Sequence, residues 1–228
     1  EKVYLVGISP EDVEDAEYVG SASQPSLEKI ALLKPDLILT LNDQAYRQLL
    51  AIAPTVVIDY DEIKLSFKEN LRIVAQLFDR EEKAEEVISA YESRISQIRD
   101  KIGEKLYEID VSTIVQHHGE FWMMSAESGI AQVLTDIGIS HAVPPSSDGP
   151  FSIEEIGKYD ADIMFFLNAD NQPMSYFLQH PLISSLEAVK KGRAYVVDPD
   201  VWWAYGPVGI NKLLDELSEY LFKSFPSI

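Results

Sequence analysis

Apolar positions along the chain switch their spacing from two to three-and-four and back again, and the longest helical stretch lies in the middle. From Ser66 to Leu106 there is no Pro and one Gly. Ala84, Ile88, Tyr91, Ile95, Ile98 and Ile102 follow one another at spacings of 4, 3, 4, 3 and 4, which lays an apolar stripe along one helix face. Asp79 with Glu82 reads as a capping pair, so one helix is expected from Ser66 to Phe78 and a second from Arg80 to Lys105. At 1.5 Å per residue the second is roughly 39 Å long. Periodicity alone fits a helix packed on one domain or a coiled-coil seam.

On both sides of this stretch strands alternate with helices. Before it, Val3–Ile8, Asp36–Leu41 and Thr55–Asp59 read as strands, Ser26–Leu33 and Asp43–Ile52 as helices. After it, Val111–Gln116, Asp162–Leu167 and Ala194–Asp198 read as strands. Gly129–Ile137, Ser152–Lys158, Leu182–Lys190 and Val208–Phe222 read as helices. That order predicts an α/β protein with a parallel-rich sheet in each half, flanked by helices. The halves also share a phrase. SLEKIALLKPDLILTLN (residues 26–42) and SIEEIGKYDADIMFFLN (residues 152–168) align without gaps at an offset of 126. Ser26/Ser152, Glu28/Glu154, Ile30/Ile156, Asp36/Asp162, Leu41/Leu167 and Asn42/Asn168 are identical pairs. Shared periodicity and a Ser cap account for Ser, Ile and Leu, but less well for the paired Glu, Asp and Asn. PTVVID (54–59) against RAYVVD (193–198) extends the echo. Two similar lobes are expected, 1–79 and 106–228, with the helix 80–105 as a rigid strut between them.

Composition narrows the function. A formal net charge of −19 argues against nucleic acid and against anionic membrane surfaces as partners. The absence of Cys removes disulfides, thiolate metal sites and thiol nucleophiles. No apolar run reaches the ~20 residues of a membrane span. A nucleophile elbow, a phosphate-cradling glycine loop and an HExxH zinc motif are all missing, so no enzymatic activity is expected. The four histidines (117, 118, 141 and 180) include no helical i, i+4 pair. His117 and His118, read as strand residues, point apart, so no protein-held metal is expected.

PSLEKIALLKPDLIL, IAPTVVID and EAVKKGRAYVVD together resemble the substrate-binding proteins of bacterial iron-siderophore and cobalamin ABC importers, over nearly the whole chain. DPDVWWAYGPVGINKLLDELSEYL is most similar to the ferric hydroxamate and ferric citrate branch. The resemblance implies two α/β lobes bridged by one rigid helix, with the ligand in the cleft between them. It implies a monomer that is periplasmic or otherwise extracytoplasmic and hands a ferric siderophore to the permease of an importer. Iron(III) enters only as the siderophore chelate, and no intrinsic cofactor is implied. Family members carry one more strand and helix ahead of the strand that Val3–Ile8 resembles, often after a lipid-anchoring Cys. An anchor would lie in a segment outside this sequence.

Ligands of parallel α/β sheets sit beyond the carboxyl ends of the strands. That rule selects Asn42, Asp43, Gln44, Tyr46 and Arg47 after one strand and Asn168, Asp170 and Asn171 after its counterpart. It also selects His117, His118, Gly119, Phe121 and Trp122 after Gln116, and Trp202, Trp203 and Tyr205 after Asp198. Aromatic side chains suit a bulky, partly apolar chelate, and in the resembled hydroxamate binders aromatic and Arg side chains contact the ferric complex. Read as strand neighbours, Trp202 and Trp203 face opposite ways, so at most one lines a cleft. Arg47 offers a planar, permanent cation for carboxylate or hydroxamate oxygens. Glu28 and Glu154 sit in the first turn after a Ser, where a carboxylate complements the helix dipole. The resemblance implies in addition that they dock onto permease arginines. A cobalamin or haem carrier of the same fold, a direct metal-ion binder and an enzyme on a bilobal scaffold remain as alternatives.

Overall fold

Ser66 opens the first of two consecutive helices, and its hydroxyl and the Glu69 carboxylate cap it reciprocally: the Ser66 side chain accepts from Glu69 N–H, and Glu69 from Ser66 N–H. The computed structural model describes residues 9–21, 23–40, 44–58, 66–142 and 149–225. The expected strand Val3–Ile8 and the site candidate Asn42 lie outside them. By its contacts the chain divides into two units, Ser9–Leu65 on one side and, from Ser66 onward, the remainder of the described chain on the other. The long helix thus belongs with the C-terminal unit.

In the N-terminal unit, β1 (Gly20–Ser21) and β2 (Gln24–Pro25) form a short hairpin. Helix α1 (Leu27–Leu33) starts at Ser26, whose hydroxyl accepts from Lys29 N–H. β3 (Ile38–Thr40), α2 (Tyr46–Leu50) and β4 (Thr55–Val57) follow, with β3 and β4 parallel. Among the described residues of this unit, Ile30, Leu49, Ala53 and Ile58 are the buried apolar side chains.

The C-terminal unit begins with α3 (Phe67–Gln76) and α4 (Glu81–Ile102). The expected Asp79 cap is not made. Asp79 takes φ +51°, and Arg80 occupies the cap position without a side-chain hydrogen bond. What joins the helices is the paired contact of Arg72 with Glu85, at 2.6 and 3.0 Å. Gly103, at φ +73°, stops α4 three residues short of the expected end, and a 3₁₀ turn (Gly103–Glu108) follows. The six stripe residues are all buried. Tyr91, Ile95, Ile98 and Ile102 pack into a core with α5 (Gly129–Ile137) and with the C-terminal helix 207–224.

Five strands make the sheet of this unit: β5 (Asp110–His117), β6 (Glu120–Met123), β7 (Ser140–His141), β8 (Ile163–Asn168) and β9 (Ala194–Val197). Their order is β6-β5-β8-β9, with β7 beside the start of β5, and every pairing is parallel except β5–β6. β8 shows why its sequence, IMFFLN, does not alternate. Ile163, Phe165 and Leu167 enter one core, while Met164 and Phe166 enter a second core on the other face with Phe121, Phe151, Phe177 and Ile183. Helices cover both faces, so both sets of side chains are apolar.

Between these strands α6 (Met174–Leu178) comes first, and α7 (Pro181–Ser184) and α8 (Glu187–Lys190) then replace the single helix expected at Leu182–Lys190. α9 (Pro199–Trp202) and α10 (Pro207–Ser224) close the chain. The internal repeat keeps its register. Ile38 pairs with Thr55, and their counterparts Met164 and Ala194 pair with each other. The helical part of the repeat diverges: Ser152 makes no backbone cap, its hydroxyl binds the Glu154 carboxylate, and residues Ile153–Tyr159 form a 3₁₀ helix.

Candidate functional site

β5 ends at His117, and the chain reverses through His118 (φ +52°) and Gly119 (φ +77°) into β6. Two consecutive positive φ values in a two-residue connection define the turn that best matches strand twist. Gly takes this geometry freely, whereas His118 needs outside support. Asp170, two residues past the end of β8, provides it. Its carboxylate accepts the N–H groups of His118 (2.8 Å) and Gly119 (2.8 Å) and the side-chain amide of Gln116 (2.7 Å). These donors, the Gly119 N–H foremost, hold the Asp170 carboxyl below its ordinary pKa and keep it ionised. Its own loop is fixed by Asn168, whose amide both donates to the carbonyl and accepts from the N–H of Gln172 (2.7 Å each).

The turn brings His117 and His118 together, with ring centroids 3.9 Å apart. The expectation that adjacent histidines diverge is therefore corrected, because His118 sits on a turn and not on a strand. His117 Nδ1 lies 3.6 Å from Asp170 and has no hydrogen-bond partner among the described residues. Donor atoms of His117, His118 and Asp170 fall within 4.8 Å of one another, a set able to approach a metal ion. An ion there would have to share carboxylate oxygens that already accept three N–H bonds. His141, by contrast, lies at the opposite end of β5, its ring 2.6 Å from the Thr113 hydroxyl; burial lowers its pKa to about 4 and keeps it neutral.

Trp203 stands edge-on to His117, with centroids 6.3 Å apart and planes at 88°. It follows α9, which Asp198 caps by accepting Asp200 N–H. The two tryptophans are therefore separated by helical and not strand geometry. Trp202 is a correction to the site: it is fully buried, 4.3 Å from the Phe165 ring, and its indole N–H donates to Glu216 at 2.7 Å. Trp203 is half-buried, and Tyr205 is exposed. Gly129 packs so tightly beneath this segment that a Cβ would run into the Ala204 carbonyl oxygen. Trp122 is half-buried against the core on β6.

Of the remaining candidates, Asn168 is spent on its own loop, and Tyr46 and Arg47 lie in the first turn of α2, half-buried and exposed respectively. Glu28 and Glu154 are both exposed, and the Ser152 hydroxyl holds the Glu154 carboxyl below its usual pKa. Asp170 and His117 both fall at strand ends that the rule selects, but their contact with each other is not legible in the sequence. Asp170 acts across 52 residues, and no local pattern announces such a contact.

A sheet covered on both faces, with aromatic and polar side chains gathered at the carboxyl ends of its parallel strands, is the construction of a solute-binding α/β protein. Residues 8–201 match the periplasmic binding protein family, and the chain belongs to it. "Probable siderophore-binding lipoprotein YfiY" of Bacillus subtilis (strain 168) is 29% identical over 238 residues, 94% of this chain and 71% of that protein. "Fe(3+)-citrate-binding protein YfmC" of the same organism is 30% identical over 196 residues, 81% of this chain and 60% of its own length. Among solved structures, FhuD2 of Staphylococcus aureus with bound ferrioxamine B superposes with a TM-score of 0.75 at 22% identity, over 87% of this chain and 80% of that one. At that identity the likeness concerns the fold.

Proposed function

We propose that this chain is an extracytoplasmic binding protein that captures a ferric siderophore of hydroxamate or citrate type and delivers it to an ABC importer. The observation that carries the reading is the His117–His118 turn with Trp203 against it at the carboxyl end of β5, in a chain of this family. Relatives named for siderophore and Fe(3+)-citrate binding support it. The chelate supplies the iron ligands, so the protein has only to provide shape, aromatic surface and polar contacts. Trp203, Tyr205, His118 and Trp122 are the contacts assigned to the C-terminal unit, and Tyr46 and Arg47 those of the N-terminal unit. No helix among the described residues is long and apolar enough to cross a membrane. Titration with ferrioxamine B, ferric aerobactin, ferric citrate, cobalamin and haem, followed by Trp fluorescence, tests the reading. A ferric chelate binds with Kd below about 10 μM and cobalamin and haem do not; preference for cobalamin or haem would reassign the cargo.

Delivery is assigned to Glu28 and Glu154, the exposed carboxylates of the repeated phrase. The double charge reversal Glu28→Lys with Glu154→Lys leaves chelate affinity within about twofold and lowers importer-dependent uptake of radiolabelled iron at least ~10-fold. Reduced chelate binding with undiminished uptake coupling would remove these residues from docking.

A further inference from the structure

The strand-end segments of the C-terminal unit carry acids and no bases. Residues 117–120, 169–173 and 198–206 follow β5, β8 and β9 and contain Glu120, Asp170, Asp198 and Asp200 but no Lys or Arg. Asp170 is kept ionised by its N–H donors. Glu120, Asp198 and Asp200 are exposed. Three bases of this unit are engaged elsewhere. Arg193 immediately precedes β9, at the amino end of the sheet, and lies over the Phe225 ring at 4.4 Å. Lys101 lies over Phe222 at 3.4 Å, and Arg94 pairs with Asp215 and with Asn211.

We propose that the site selects neutral or cationic ferric chelates, of the trihydroxamate kind, and discriminates against the anionic citrate and catecholate kinds. This rests on the siderophore-binding reading and narrows it to one charge class. A neutral or cationic chelate meets four carboxylates without repulsion, and a protonated amine on such a chelate can lie against the Trp203 and Tyr205 rings. A multiply charged anion entering the same loops is opposed by each carboxylate, and partial exclusion of water strengthens that opposition. Binding proteins for anionic chelates need converging Arg or Lys side chains to overcome it. These loops supply none.

The test is a direct ranking at pH 7.5 of ferrioxamine B (cationic), ferrichrome (neutral), ferric citrate and a ferric tris-catecholate (both anionic). At about 0.02 M salt ferrioxamine B or ferrichrome binds at least ~10-fold more tightly than either anion, and the gap narrows near 0.5 M salt as screening removes the repulsion. The variant with Glu120→Lys and Asp200→Lys, both on exposed positions, moves the ratio toward the anionic chelates by about tenfold. Equal affinity across the charge series, or tighter binding of either anion by the wild-type protein, overturns the charge assignment while leaving a siderophore carrier. Failure of every chelate to bind overturns the siderophore reading itself.

Discussion

Trp202→Ala lowers the stability of the protein by about 3–5 kcal/mol, and the neighbouring Trp203→Ala leaves stability within about 1 kcal/mol but weakens chelate binding roughly tenfold. The contrast follows from one turn of helix. Trp202 is fully buried, packs on Phe165 and lies within 6.3 Å of the Tyr220 ring. Truncation removes an aromatic side chain from a packed core and leaves a cavity that β8 on one side and α10 on the other cannot close. It also deprives Glu216 of its 2.7 Å indole donor, stranding a half-buried carboxylate. The midpoint of thermal unfolding, followed by far-ultraviolet circular dichroism, drops by roughly 10 °C. Trp203 is only half-buried and packs against the edge of that core, and its ring partner is His117 at the strand end. Fluorescence titration of the Trp203→Phe variant separates aromatic contact from bulk, since Phe restores part of the affinity. Should Trp203→Ala melt like Trp202→Ala, Trp203 belongs to the core and the aromatic contact proposed here is lost.

The same pair shows where a sequence carries structure and where it does not. Asp198-Pro199 is a helix start, an Asp cap followed by Pro at the first helical position. Its cue was outweighed by the strand before it, and the tryptophans were assigned strand geometry. Elements with strong local signals were read well. Gly129–Ile137 has a Ser128 cap, an apolar face and Gly138 at φ +95° at its end, and its bounds match the structure. β8 is legible as an apolar run, and the repeated phrase together with the looser echo of 54–59 in 193–198 matches the equivalent register of β3–β4 and β8–β9. β6 was missed because its turn is His-Gly, without the Asn or Asp that usually marks such a connection. The metal-capable juxtaposition of His117, His118 and Asp170 was missed for the same reason, since it exists only once the chain has reversed. Cap chemistry is local, whereas the site depends on one carboxylate reaching from the β8 loop to the β5–β6 turn.

That carboxylate gives the second large effect. Asp170→Ala removes the acceptor for two turn amides and one side-chain amide at once. Stability falls by about 2–3 kcal/mol, because His118 then holds a left-handed conformation without its hydrogen bond and the Gln116 amide loses its partner. Chelate affinity falls at least ~10-fold, because the His117–His118 pair and the Trp203 edge against it are no longer fixed. Amide hydrogen exchange at His118 and Gly119 accelerates in the variant, while exchange in β8 changes in proportion to global stability alone. Asp170→Asn behaves similarly, since its NH₂ group faces donors where an acceptor is needed. The pH dependence has a definite sign. Hydrogen bonding holds the folded-state pKa of Asp170 below its unfolded value, so its contribution is complete above the unfolded pKa of about 3.9 and disappears as pH falls through the folded value. The stability gap between wild type and Asp170→Ala, measured by urea unfolding, is therefore constant above about pH 5 and closes below about pH 4. A gap that persists unchanged at pH 2.5, or a variant with wild-type chelate affinity at neutral pH, would show that the turn is held by something other than the ionised Asp170 side chain.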